Sequence, residues 1–194
     1  MSFFDTNSYF IDEKVNMLKF ENEYKVFNDH GVQIGSVKQK LDGGGKILRI
    51  LLNKAMLPFH LEIKDANDAL QATISRGWTF WMSKIAIKDA QGKQVATVAQ
   101  KFAFMKPTFK ISNMQNVQIA EITGDWKAWN FTMFDANKNQ IGTITKKWAG
   151  VAKEFFTSAD KYNVNLTTDL AQPEDKIAII ASAITIDMVL KESK

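Results

Sequence analysis

Few residues in this 194-residue chain could do covalent or metal chemistry. There is no cysteine, which removes disulfides, thiolate nucleophiles, zinc–thiolate centres and palmitoyl attachment. The two histidines, His30 and His60, lack a second histidine or paired acid at ligand spacing, so neither predicts a metal centre. "DGGGK" (42–46) has the glycines and lysine of a phosphate loop but not its four-residue spacer. Ile47 stands where a Ser or Thr would hold magnesium, and the stretch reads as a flexible connection. No G-x-S-x-G occurs, and Ser36 after Gly35 belongs to a strand pattern. No catalytic constellation is present, and the expectation is a protein that is not an enzyme and needs no cofactor.

The chemistry left over is that of surfaces. "RGWTFW" (76–81) and "GDWKAW" (124–129) each place two tryptophans three residues apart, and Trp148 follows. Tryptophan suits a water–lipid boundary, where its ring is apolar and its N–H wet. "LLNKAMLPFHL" (51–61) and "FAFMKPTFK" (102–110) mix apolar or aromatic residues with lysine. Core packing or plugging of a barrel end also explains such residues. Lys54, Arg76, Lys106, Lys110, Lys146 and Lys147 are the candidates for contact with anionic headgroups. The formal charge of +4 is compatible with an anionic lipid surface. It is low for a nucleic-acid-binding domain, and no Lys/Arg stripe appears, so nucleic acid is disfavoured.

These residues need a scaffold, and an internal repeat describes it. "YKVFNDHGVQIGSVKQ" (24–39), "LEIKDANDALQATISR" (61–76), "IAIKDAQGKQVATVAQ" (85–100), "FKISNMQNVQIAEITG" (109–124) and "FTMFDANKNQIGTITK" (131–146) share one pattern. Apolar residues alternate, then comes Asp or Asn, a polar turn, and a second alternating segment. This predicts five β-hairpins, hence ten strands. "SYFIDEKV" (8–15) and "YNVNLTT" (162–168) supply two more, so the fold class is mainly β. Seven residues after each turn Asx stands Gly35, Ala72, Ala96, Ala120 or Gly142, and two further on Val37, Ile74, Val98, Ile122 or Ile144. The small position marks either a β-bulge or the close approach of an object enclosed by a curved sheet. Twelve strands make a barrel too wide for its own side chains to fill.

"KIAIIASAITIDMVL" (176–190) is the most apolar run. As a helix it spans roughly 22 Å, short of the roughly 30 Å of a bilayer core. Asp187 lies within it, Pro173, Glu174 and Asp175 precede it, and Lys191 follows. Being apolar on nearly all sides, it predicts a helix at about 174–190 buried within the barrel, with no transmembrane segment. Its many β-branched residues leave a thirteenth strand as the alternative, which length opposes.

The ordered set "GDWKAWNFTMFDANKNQIGTITKKWAG" (124–150), "FFTSADKYNVNL" (155–166) and "IAIIASAITID" (177–187) resembles the phospholipid scramblase and LURP-one-related families. "KKWAG" matches a K-x-W-x-G element, and "ADKY" matches an Asp-x-Tyr/Phe that opens the next strand. The resemblance implies the tubby-like fold, a closed antiparallel barrel of about twelve strands around a hydrophobic C-terminal helix. The hairpins upstream extend the resemblance, less specifically, over most of the chain, and 1–194 reads as a single domain with its central helix at about 174–190. The resemblance also implies binding of anionic phospholipids, with scrambling between leaflets as the family's named activity.

The family's calcium-binding stretch falls on "SADKYNVNLTTD" (158–169). Asp160 and Asp169 match, but Ser158 replaces the first acid, which weakens the site, and calcium binding is disfavoured. The family's proline-rich extension and its lipidated cysteines have no counterpart here, and the amino end shows no signal-peptide pattern. The expectation is therefore a cytoplasmic protein, peripheral at the inner face of the plasma membrane. A soluble scaffold or interaction module without lipid activity is the alternative, and the oligomeric state is not legible.

Overall fold

The computed structural model describes residues 3–16, 21–40, 58–78, 84–101, 106–125, 127–146 and 161–192. A 3-10 turn (Phe3–Asp5) leads into strand β1 (Ser8–Asn16). Five hairpins follow: β2 (Glu21–Phe27) with β3 (Gln33–Lys40), β4 (Phe59–Asp65) with β5 (Leu70–Arg76), and β6 (Lys84–Asp89) with β7 (Gln94–Lys101). The last two are β8 (Thr108–Asn113) with β9 (Gln118–Asp125) and β10 (Asn130–Asp135) with β11 (Gln140–Thr145). These are the five repeats of the sequence. Strand β12 (Lys161–Leu166) pairs with both β11 and β1 and closes a twelve-stranded antiparallel barrel. Helix α1 (Pro173–Glu192) ends the described chain, one or two residues beyond each predicted bound.

Each hairpin turn is built by its Asx side chain. The Oδ1 of Asn28, Asp65, Asp89, Asn113 and Asp135 accepts the backbone N–H groups two and four residues on, at 2.8–3.0 Å. Three residues after each Asx the backbone turns left-handed, at Gly31, Asp68, Gly92, Asn116 and Lys138. Glycine holds that conformation without strain, and Asn or Asp with little, whereas Lys138 is held there against its preference.

A bulge follows every turn. The register shifts so that Gly35, Ala72, Ala96, Ala120 and Gly142 lie opposite Val26, Ile63, Ile87, Ile111 and Met133. The small residues therefore mark bulges, as one of the two sequence readings required. An added Cβ at Gly35 would meet the Lys64 carbonyl and, at 2.7 Å, the Phe3 ring. At Gly142 it would meet the Asn165 carbonyl and the tip of Met133. At these two glycines the space is taken by a neighbouring strand, Phe3 and Met133, and not by the helix.

The helix fills the barrel. All nine residues from Ala178 to Ile186 are buried, which a helix lying on an outer face could not achieve. It packs against β5–β9 on one side and against β12 across the ring. The Tyr162 hydroxyl of β12 donates to the Ile184 carbonyl at 3.1 Å. Ser182 and Thr185, the polar residues of the buried stretch, donate back to the carbonyls of Ala178 and Ala181, so their burial carries no orphaned hydroxyl. Burial outweighs the weak helix propensity of the β-branched residues. Among the described residues no helix is long and apolar enough to cross a membrane.

Candidate functional site

Antiparallel connectivity sorts the connections into two ends. The five Asx turns and the link from β12 to α1 lie at one, the turn end. The links β1–β2, β3–β4, β5–β6, β7–β8, β9–β10 and β11–β12 lie at the other, the loop end. By sequence, the loop-end links contain all five tryptophans and nine Lys or Arg against three Asp or Glu. The turn-end links contain no tryptophan and two Lys or Arg against three Asp or Glu.

The predicted headgroup residues do not share one environment. Lys106 is exposed at the loop end. Lys110 lies on the outer face of β8, half-buried, 4.0 Å from Glu121. Arg76 ends β5 and turns inward; it is only 4% exposed, so it does not belong to the outer surface. Lys146 is half-buried just beyond β11. Lys54, Lys147 and the calcium candidate Asp160 lie outside the described residues. Asp169 is exposed beyond the turn-end terminus of β12 and accepts a hydrogen bond from Asn7 at 2.9 Å. Among the described residues no group of three His, Asp or Glu could hold a metal ion.

Arg76 and Lys146 are equivalent through the repeat, each eleven residues after its turn Asx. The Arg76 guanidinium lies over the Phe59 ring, 4.7 Å from its centroid, and the Lys146 ammonium lies 4.8 Å from that of Trp129. Phe59 pairs directly with Arg76 across β4 and β5, and Trp129 and Lys146 stand one residue beyond the paired ends Asn130 and Thr145 of β10 and β11. Trp129 stacks on Tyr162 at 5.8 Å and meets the edge of Phe131 at 5.9 Å, which fixes its plane. In each pair the cation packs on an aromatic face at the barrel mouth. Hairpins β4–β5 and β10–β11 are six strands apart in a ring of twelve, so the two pairs face each other across it.

The corresponding positions of the other hairpins are Gln39, Gln100 and Gly124. Gln39 and Gln100 are buried polar residues that the reading of the sequence passed over. Their signal was present: the repeat runs small, β-branched, then polar at successive inward positions. Outside this inner rim stand Trp78, 52% exposed, and the exposed Lys127. Lys127 was also missed; its backbone N–H is held by Asp125 Oδ1 at 2.8 Å.

The turn end differs. A cleft of about 250 Å³ lies beside the start of α1, lined by Lys93, Met114, Gln172, Glu174 and Asp175 among others. Burial, with Glu174 adjacent, raises the Asp175 carboxyl above its ordinary range. Burial lowers the Lys176 ammonium, against the pull of Asp169 and Asp5. Glu174 and Asp175 stand in the first turn of α1, where the helix dipole favours negative charge.

Three comparisons with known proteins bear on this arrangement. No curated protein matches the sequence. Among solved structures, the X-ray structure of a protein from Arabidopsis thaliana superposes with a TM-score of 0.54 at 11% identity. The match covers 93% of this chain and 91% of that one, and at this identity it speaks for the fold alone. The family model described as Scramblase matches residues 11–193. That span takes in both cation–aromatic pairs, the enclosed helix and every strand except the first three residues of β1, and the chain belongs to the scramblase family.

Proposed function

We propose that this protein binds anionic phospholipid headgroups peripherally, through the loop end of its barrel. The observation that carries this reading is the segregation of the connections by sequence: the links at one end contain every tryptophan and an excess of Lys and Arg, and those at the other contain neither. Family membership supports a lipid role in general terms. Exposed Trp78 offers an anchor at headgroup depth, with Lys106 and Lys127 in place to meet lipid phosphates. The reading places one such unit over the whole 194-residue chain, at the cytoplasmic leaflet of the plasma membrane, in a role without covalent catalysis and without a resident cofactor or calcium.

Binding is favoured over transport. Moving a headgroup between leaflets requires a polar path through hydrocarbon, and the barrel interior is occupied by α1. Flotation with anionic vesicles at low and high salt tests the reading: binding should appear at low salt and weaken as charges are screened. Absence of flotation at every salt concentration would favour a scaffold without lipid activity. Scrambling is tested separately with fluorescent-lipid vesicles, in which dithionite quenching that stops at the outer-leaflet fraction excludes it.

A further inference from the structure

One hairpin departs from the others at the tip of its turn. The residue after the turn Asx is Asp29, Ala66, Ala90 or Ala136 in four hairpins, and Met114 in the fifth. That turn is complete without a methionine, because the Asn113 Oδ1 already accepts the N–H groups of Gln115 and Val117 at 3.0 Å. Met114 is nevertheless 50% exposed, with Val117 57% exposed on the same turn. A flexible thioether held at the surface makes an adaptable wall for an aromatic group.

Met114 lines the cleft of about 250 Å³ beside the start of α1, where Val95 supplies a second apolar wall and Glu174 and Asp175 supply acidic groups. Lys93 lies 3.9 Å from Glu174 in an exposed pair, which is weakly held. The volume is below the roughly 300–1,000 Å³ of pockets that enclose a small-molecule ligand, and it suits one large side chain. The cleft is bounded by the β6–β7 and β8–β9 hairpins and by the chain that leads into α1.

The loop end of the same sector offers such a side chain. Trp78, just past β5, is the exposed aromatic among the described residues, at 52%. Lys84, also exposed, opens the adjacent strand β6. A seven-residue strand separates the two ends by roughly 20 Å, so Trp78 does not reach the cleft of its own chain.

We propose that the turn-end cleft receives Trp78 from a second copy of this chain, so that barrels stack head to tail. The indole packs on Val95 and on the Met114 thioether, a favourable sulfur–aromatic contact, and Lys84 approaches the acidic groups of the cleft. A tryptophan seated in a pocket is the kind of side chain that dominates the energy of an interface. The contact is heterologous: every stack keeps one unfilled cleft and one free Trp78, so it grows without closing. A second copy is favoured over a foreign partner because anchor, cleft and charges of opposite sign all lie on this molecule. Lipid binding draws on the same Trp78, so the two compete, and neither requires the other.

The test is sedimentation velocity of the full chain over a concentration series at low salt. The wild type is expected to grow past a dimer as concentration rises. Trp78→Ala removes the anchor, and Met114→Glu puts a charge in the cleft. Both positions are exposed, so both variants should melt close to wild type. Each alone should associate about tenfold more weakly or worse. Mixed one to one, they should form a dimer that grows no further, because the tryptophan of the Met114 variant still meets the intact cleft of the Trp78 variant.

A wild type that stays monomeric at every concentration overturns the proposal and leaves a foreign aromatic segment as the occupant. Association that either variant leaves undiminished overturns it too, as does a mixture that yields no dimer. Vesicle flotation, measured separately, decides the lipid reading whatever sedimentation shows.

Discussion

The turn end and the loop end are made from the same five hairpins, yet only one of them is uniform. At the turn end, five Asx side chains repeat one hydrogen-bond pattern, five backbones pass through the left-handed region, and five bulges follow. At the loop end, the links run from four residues (17–20) to eighteen (41–58) and gather the tryptophans and the excess of lysine and arginine. A turn that satisfies its own backbone internally gains little from variation. Longer links on a rigid scaffold leave side chains available for binding. One repeat thus assigns structure to one end and leaves recognition to the other.

The comparison breaks most decisively at the core that both ends depend on. Ile180→Ala, in the enclosed helix, should cost about 2–5 kcal/mol in chemical denaturation. Trp78→Ala, exposed at the loop end, should stay within about 0.5 kcal/mol of wild type while weakening vesicle flotation. Equal losses at both sites would remove the division of labour.

Charge gives a smaller effect and a sharper contrast. Lys106→Ala and Lys127→Ala should each weaken flotation about fivefold at low salt, since a cation near an anionic surface contributes about 1 kcal/mol. Lys93→Ala at the turn end should leave flotation unchanged. Comparable losses from all three would show that net charge, and not one end of the barrel, drives binding.

Within the turn end, Asn28→Ala removes an oxygen that accepts the N–H groups of His30 and Val32 at 3.0 Å. By analogy with helix caps this should cost about 1 kcal/mol in urea denaturation, with flotation unaltered. The smallest effect is electrostatic. Asp175 titrates above its ordinary value of 3.8 because it is partly buried beside Glu174. The folded state therefore holds this proton more tightly than the unfolded chain. Stability from this group is full below pH 3.8 and is lost as pH rises through the raised folded value. Thermal melts of Asp175→Asn should show a flatter slope across that window than wild type.

The fold was legible because its signals are local. Alternation with a period of two marks a strand, an Asx followed by a polar turn marks a hairpin, and fifteen residues of nearly continuous apolarity mark a buried helix. The bulges were half legible: the small residues were seen, but a tight bend and a close neighbour leave the same trace in a sequence. The site was read less well. Arg76 is a headgroup candidate in the sequence through its place in "RGWTFW", whereas its inward phase in the repeat buries it against Phe59. Gln39 and Gln100 attracted no notice, because a lone glutamine at a strand end is ordinary until its amide is found without a partner.

The sequence by itself determined the twelve strands, the five turns, the enclosed helix and the family, since each is specified by residues close together in the chain. Only the tertiary structure decided that β12 closes onto β1, that the tryptophan-bearing links meet at a single end, and that Gln39, Arg76 and Gln100 share one interior. A period of two fixes which face of a strand a side chain occupies. Which other side chains that face then meets depends on ring closure, which brings together residues more than a hundred positions apart, such as Ser8 and Asn165.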